Sequence, residues 1–267
     1  MQLRIPIMEV IKDRHSVRNY QEIALTSEMI HKIKLYIEKL CTPYKGKIRI
    51  ELICNDNADK KVKLGTYGVI KGAKYFLVAA IVNEEENSVL LGYTLEKIVL
   101  YCTSLGLGTV WLGGTYNKSQ FAEAINLKED EQIKIVVPVG KEADKKTLLS
   151  KVMGSQSKKR KDFSELFFDG GIKNPLTKEA AGVYEMALEM VRLAPSAINK
   201  QPWRVIKQGD LLHFYMVDNK NFHEIDLGIG LAHFDLTVKE QNMDGEYIHE
   251  DPKIECPFQY LITWMPK

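Results

Sequence analysis

The sequence has few features that would place the protein outside the cell or in a membrane. Residues 1–8 contain Arg4 and Pro6 and lack the apolar core of a signal peptide. No apolar run approaches the length of a membrane span. Four cysteines are spaced unlike any metal site, and we interpret them as reduced thiols: Cys41, Cys54, Cys102 and Cys256. We therefore expect a soluble cytoplasmic protein that does not bind membranes.

The sequence also lacks a strong net charge and any recognisable set of catalytic side chains. The formal net charge of +2 gives no overall field that would attract nucleic acid. No Ser-His-Asp or Cys-His arrangement is recognisable, and the histidines other than His15 show no ligand spacing. We therefore expect no metal and no catalytic acid or base from the protein. Apolar residues make up 45% of the 267 residues, enough for one large or two small domains.

Helical and strand patterns alternate in the first half of the chain. Thr26 and Glu28 mark a helix N-terminus, and apolar residues at helical spacing follow as far as Leu40. Beyond this helix, the pattern predicts strands at 48–54, 75–82 and 133–139 and helices at 89–105 and 119–125. We interpret the polar, lysine-rich stretch 141–178 as a long connection.

The second half repeats this order in shortened form. Helices are predicted at 178–193 and 226–241, and strands at 203–207, 211–217 and 259–265. Gly228 and Leu231 stand in the second long helix where Gly92 and Leu95 stand in the first. This order indicates two copies, residues 1–168 and residues 169–267, with chance recurrence of helices and strands as the alternative.

A cluster of polar residues ends the first helical pattern, at Arg14-His15-Ser16-Val17-Arg18. Arginine offers a rigid fork of donors and serine a short hydroxyl, which together suit an anion. The alternative is a solvated, positively charged helix C-terminus, which the helix dipole also favours.

Three other segments combine residues of special chemistry, and each has a plainer interpretation. Residues 106–114, Gly-Leu-Gly-Thr-Val-Trp-Leu-Gly-Gly, could be a helix cap and turn. Residues 195–199, Pro-Ser-Ala-Ile-Asn, could simply stop a helix, although Gln-Pro-Trp at 201–203 adds further polar character. Residues 158–161, Lys-Lys-Arg-Lys, could be solvated charge or a nucleic-acid patch, the latter without the usual aromatic residues.

Taken together, these four motifs resemble the FMN-dependent nitroreductases over most of the chain. The resemblance implies an α+β fold with a mixed sheet flanked by helices. It further implies the fused type, in which two half-copies form an intramolecular pseudo-dimer. The first copy keeps the arginine cluster, the Gly-Gly loop and the basic segment, and the second keeps the Pro-Ser-Ala-Ile-Asn loop. We therefore expect a monomer with one FMN.

The resemblance also assigns residues to the cofactor. Arg14 and Ser16 would hold the phosphate and ribityl end, and His15 would contribute mainly through its backbone. Arg18 would reach the pyrimidine edge of the flavin, where positive charge favours the reduced ring. Lys158 and Arg160 would close the phosphate site. The resemblance places these further residues at the flavin: Tyr67, Gly68, Trp111, Leu112, Gly113, Gly114, Pro195, Ser196, Ala197 and Asn199.

The activity implied by the resemblance is a ping-pong transfer of reducing equivalents. NAD(P)H would reduce the flavin, and a small nitroaromatic, quinone or similar flat electrophile would accept the electrons. An alternative is a flavin-binding protein without turnover that stores or senses FMN. A third interpretation, nucleic-acid binding through residues 158–161, predicts a colourless protein and is the least favoured, so we expect no nucleic-acid partner.

Overall fold

The first half of the chain forms a four-stranded sheet with its helices. The computed structural model describes residues 5–55, 64–144, 159–218 and 222–267. The strands pair in the order β1-β2-β4-β3, all antiparallel. Within this half, the elements are α1 (Ile7–Asp13), α2 (Ser27–Cys41), β1 (Ile48–Cys54), β2 (Tyr75–Ile81), α3 (Glu84–Ser104), β3 (Gly108–Thr109), α4 (Lys118–Ala124) and β4 (Gln132–Gly140).

The second half forms a five-stranded sheet in the order β5-β6-β7-β9-β8. The β5–β6 pair is parallel and the other pairs are antiparallel, which makes this sheet mixed. Its elements are α5 (Phe163–Leu166), β5 (Phe167–Asp169), α6 (Lys178–Ala181), α7 (Glu185–Leu193), β6 (Trp203–Gln208), β7 (Leu211–Met216), α8 (His223–Glu240), β8 (Gly245–Ile248) and β9 (Gln259–Pro266).

The two sheets share one plan. The order β1-β2-β4-β3 in the first sheet corresponds to β6-β7-β9-β8 in the second, with the same antiparallel directions. The pairing register shifts between Ala79 and Ala80 of β2, and again between Phe214 and Tyr215 of β7, the corresponding strand. Agreement in order, direction and irregularity supports the interpretation that the chain holds two copies.

The long helices α3 and α8 pack against each other with their backbones in direct contact. A Cβ on Gly92 would lie 2.0 Å from the carbonyl oxygen of Ile225, and one on Gly228 would lie 2.0 Å from that of Val89. In both cases the glycine of one helix contacts the carbonyl that lies three residues before the glycine of the other helix. The two contacts are thus equivalent, as two-fold symmetry would require. Glycine is needed at both positions because any side chain would push the helices apart.

The core surrounds this helix pair. Every residue of β2 is buried, so the predicted central strand covered on both faces is confirmed. Nearly all of α8 is buried as well, and accordingly apolar residues occur on all of its sides. Across the described ranges, no helix has the length and apolar character needed to cross a membrane.

The predicted connection 141–178 differs from the structure, which places α5 and β5 within it. Phe163 and Phe167 make an edge-to-face contact with ring centroids 4.6 Å apart, and both are buried. This apolar cluster is short and lies in a lysine-rich stretch, so no periodicity showed it. Two further differences are the interruption of the predicted helix 178–193 at residues 182–184, and strand β8, which the sequence did not indicate.

The helix contact predicts different outcomes for two glycines of α8. Gly228→Ala should lower the free energy of unfolding by roughly 1–3 kcal/mol, because the added methyl overlaps the backbone of α3. Gly230→Ala should raise it by up to about 1 kcal/mol, because its Cβ would lie 3.6 Å from Trp203, an ordinary contact, and alanine favours the helix. Urea denaturation measures both, and equal effects would contradict the packing argument.

Candidate functional site

The arginine cluster continues from the end of α1 as an extended segment paired on both sides. The Arg14 amide donates to Val10 O at 3.0 Å and ends the helix. Beyond it, the Val17 amide donates to Thr109 O at 2.9 Å, and the Lys71 amide donates to Arg18 O at 2.9 Å. The segment thus lies between β3 and the loop that carries Tyr67 and Gly68.

The guanidinium of Arg14 lies inside the protein. Arg14 is only 8% exposed, which excludes the solvated helix end as its role. Burial lowers its pKa, partly offset by the negative charge of Glu96. Its Nε, and the Nε and Nη1 of Arg18, are buried without a hydrogen-bond partner in the part of the chain that the structure describes. Buried donors on cations are unfavourable unless something accepts from them, so this arrangement suits an anion.

Arg160 joins Arg14 from the far end of the first half. Its Nη1 donates to Asn199 Oδ1 and its Nη2 to Leu193 O, both at 3.0 Å. Burial and the neighbouring positive charges of Arg14 and Arg192 lower the pKa of Arg160 to about 10. The structure therefore brings together three segments that are distant in sequence. Lys158, predicted at the same site, lies outside the described residues.

The two residues after Arg14 are held by contacts with neighbouring segments. His15 is exposed, and its ring contacts Asp13 O at 2.9 Å and Glu142 Oε2 at 2.8 Å. Ser16 forms a backbone bridge with Thr109 and is half-buried. The His15 side chain is thus already engaged, which is compatible with a contribution through its backbone alone.

The loop from Pro195 to Asn199 follows α7 and is held by its own contacts. The Gln201 amide donates to Ser196 Oγ at 2.8 Å, and the Ala197 amide donates to Asp226 Oδ1 at 2.9 Å. Asn199 also donates to Lys159 O. The loop does end a helix, as the plainer interpretation held, but it also links the basic segment to α8.

The Trp-Leu-Gly-Gly loop lies beside the start of α8. The Leu112 amide and carbonyl pair with Val136 at 3.0 Å, which anchors the loop to β4. A Cβ on Gly113 would lie 2.6 Å from the ring of Phe222, so this aromatic ring covers that glycine. A Cβ on Gly114 would meet no atom of the described chain within 4 Å. Gly114 therefore offers the open backbone of this pair.

Tyr67 and Gly68 lie in a turn closed by the Val69 amide and Thr66 O at 3.0 Å. Tyr67 is 70% exposed, and both residues have positive φ, 49° and 76°. The hydrogen bond from the Lys71 amide to Arg18 O joins this turn to the arginine cluster. The structure thus places the turn next to the cluster but leaves the tyrosine ring in solvent.

A buried network that the sequence analysis missed connects the two halves. Glu96 and His233 are fully buried, with His233 Nε2 2.9 Å from Glu96 Oε1. His233 Nδ1 lies 2.9 Å from Met190 O. A carbonyl oxygen only accepts, so Nδ1 carries the proton of that hydrogen bond. The hydrogen bond between Nε2 and the Glu96 carboxyl therefore needs a further proton, on one of these two groups. Trp111 Nε1 donates to Glu96 Oε2 at 3.1 Å. The available signal was Glu96 itself, an acid followed by Lys97 in a largely apolar helical run.

Asp226 is a further residue that the sequence did not indicate. It lies in the first turns of α8 and is 3% exposed. Burial raises the pKa of its carboxyl to about 7, opposed by the hydrogen bond from the Ala197 amide. A carboxyl with a strongly shifted pKa beside a candidate site is more often functional than one with an ordinary pKa.

Comparisons with known proteins place this geometry in context. The family model described as "Putative TM nitroreductase" matches residues 6–238. A "putative nitroreductase" from Thermotoga maritima is 19% identical, covers 99% of this chain and 95% of its own, and superposes with a TM-score of 0.64, which shows the fold. An FMN-dependent nitroreductase from Clostridium difficile is 17% identical and covers 52% of this chain and 88% of its own, with a TM-score of 0.39. No curated protein matches the chain.

The shifted carboxyl predicts a pH-dependent stability. Asp226 holds its proton up to about pH 7 when folded, against an ordinary pKa of 3.8. The protonated form therefore contributes stability that is fully present below about pH 4 and is lost as the pH rises to about 7. Relative to Asp226→Asn, the free energy of unfolding of the parent should fall by about 1 kcal/mol per pH unit across this window. Denaturation at several pH values measures the difference, and a constant difference would contradict the prediction.

Proposed function

The chain belongs to the TM nitroreductase family, and on this basis we propose that it is an FMN-dependent oxidoreductase. Its reductant would be NAD(P)H, and its acceptor a nitroaromatic, a quinone or a similar flat, electron-poor small molecule. Family membership supports the oxidoreductase class, and the choice of FMN depends on the chemistry of the site.

The observation that carries the proposal is the buried Arg14, whose Nε has no partner among the described residues, beside the half-buried Arg160. The phosphate of FMN carries nearly two negative charges and three acceptor oxygens, which matches these donors. Like charges gathered inside a protein repel one another, and an anion between them removes that repulsion.

The remaining residues fit the rest of the cofactor. Arg18, with two buried donors that lack partners among the described residues, would face the polar edge of the ring. The open backbone at Gly114 would approach the ring closely, since no side chain intervenes. The loop at Pro195–Asn199 would close the site from the second half of the chain. Trp111, held by Glu96, and Leu112, held by β4, would fix the Gly-Gly backbone in position.

Bound FMN would supply the redox chemistry, taking up reducing equivalents from NAD(P)H and delivering them to the acceptor. The protein would bind the phosphate, orient the ring and exclude water from one face. We assign no side chain as a catalytic acid or base.

The second half would not hold a second flavin. By the match of Gly92 with Gly228, Lys97 is the counterpart of His233. Lys97 Nζ lies 3.0 Å from Asp235 Oδ2, so an ion pair occupies this flank in place of the Glu96–His233 network. The second half also lacks an arginine cluster at its start. We therefore propose that the chain is an internal pseudo-dimer that binds one FMN. We also propose that it is a monomer, and sedimentation of the purified protein should then show a species with the mass of one chain.

The phosphate site predicts a selective loss of affinity. Titration of apo-protein with FMN, followed by flavin fluorescence, should break at one equivalent per chain. Arg14→Ala should weaken FMN binding at least tenfold, about 1.4 kcal/mol, because a charge-assisted hydrogen bond is lost. Riboflavin, which lacks the phosphate, should bind both proteins alike. Arg49→Ala is the control, since Arg49 pairs with Glu131 elsewhere in the first sheet. Unchanged FMN binding by Arg14→Ala would reduce the cluster to a structural helix end.

Turnover is tested separately from binding. Anaerobic stopped-flow mixing of the flavin-loaded protein with NADH or NADPH should bleach the flavin absorbance, and a quinone or nitroaromatic should restore it. Arg18→Ala should slow the bleaching more than it weakens FMN binding, because positive charge at the ring edge favours reduction. Flavin that binds but stays oxidised would instead identify a storage or sensing protein.

A further inference from the structure

The loop after α7 is strained at several positions. Ile198, Asn199 and Gln201 have φ of 44°, 57° and 50°, a region that L-residues other than glycine seldom adopt. Ile198 is β-branched, for which this conformation is a clear outlier, and its side chain is 88% exposed, so packing does not hold it there. Backbone strain of this kind persists only where surrounding contacts impose it.

The contact that reaches the centre of the loop comes from Asp226. Its two carboxyl oxygens lie 2.9 and 3.1 Å from the Ala197 amide nitrogen, one residue before the strained Ile198. Other bonds hold the two flanks of the loop, from Gln201 to Ser196 and from Arg160 to Asn199. Asp226 alone among these comes from the buried helix α8.

The carboxyl of Asp226 has no other evident task. Its hydrogen-bond contacts in the described chain are both with the Ala197 amide. It is buried, and burial disfavours its charged form, with no cation among the described residues to compensate. The hydrogen bond from the Ala197 amide is therefore the interaction through which this carboxyl acts.

We infer that Asp226 is a positioning residue that fixes the Pro195–Asn199 loop against the flavin through the Ala197 amide. The inference rests on the proposed function, which assigns this loop to the cofactor. Phe222 precedes the same helix, accepts a bond from the Asp226 amide at 2.9 Å and covers Gly113. The start of α8 thereby ties both loops of the site together.

Two variants of Asp226 separate this role from general stability. Asp226→Ala removes the acceptor and should weaken FMN binding at least fivefold and shift the visible band of the bound flavin. Asp226→Asn keeps an oxygen that accepts from Ala197 and should stay within about twofold of the parent. The matched control is Asp235→Asn, at another buried aspartate of α8, which accepts from Tyr93 and Lys97. It should lower the melting temperature and leave FMN affinity unchanged.

Hydrogen exchange at the Ala197 amide tests the inference without flavin. The amide should be protected in the parent and in Asp226→Asn, and should exchange at least tenfold faster in Asp226→Ala. Rapid exchange in the parent, or FMN binding and a spectrum unchanged by Asp226→Ala, would overturn the inference. A parent that protects this amide but binds no FMN would refute the proposed function while leaving the loop contact established. If Asp226→Ala does not fold, the parent's own exchange decides.

Discussion

The contact between α3 and α8 is the constraint on which the rest of the structure depends. Two glycines let the helices approach until backbone meets backbone, and this closeness brings Glu96 of one half to His233 of the other. The same packing sets the start of α8 beside the Trp-Leu-Gly-Gly loop. A wider helix pair would separate these groups, because the network joining them consists of single hydrogen bonds.

Around this contact, charge is arranged in two different ways on the two flanks. On one flank, the positive charge of Arg14 acts on Arg160, next to buried donors that have no partner among the described residues, and Glu96 offsets only part of the effect of burial on Arg14. On the other, Lys97 and Asp235 neutralise each other. The two flanks therefore differ in charge, although the surrounding sheets follow the same plan, and we propose the anion site only for the first.

Much of the fold could be predicted from the sequence because its signals are local. The strand 48–54 and the start of α2 at Thr26 came out as predicted, since alternation and capping depend on neighbouring residues. The short elements α5, β5 and β8 were missed because each is too brief to show a period. For the site, the sequence pointed to segments from both halves, but the buried groups Glu96, His233 and Asp226 were hidden within apolar helices.

The sequence by itself determined the longer elements, their repeated order and the segments rich in arginine, glycine and polar loop residues, because these are properties of consecutive residues. Only the tertiary structure decided that Arg14, Arg160 and Asn199 meet, that Phe222 covers Gly113 and that Asp226 holds Ala197. Such contacts join positions dozens or more residues apart. They depend on how closely α3 and α8 pack and on which buried polar groups find a hydrogen-bond partner. A pattern in consecutive residues indicates neither.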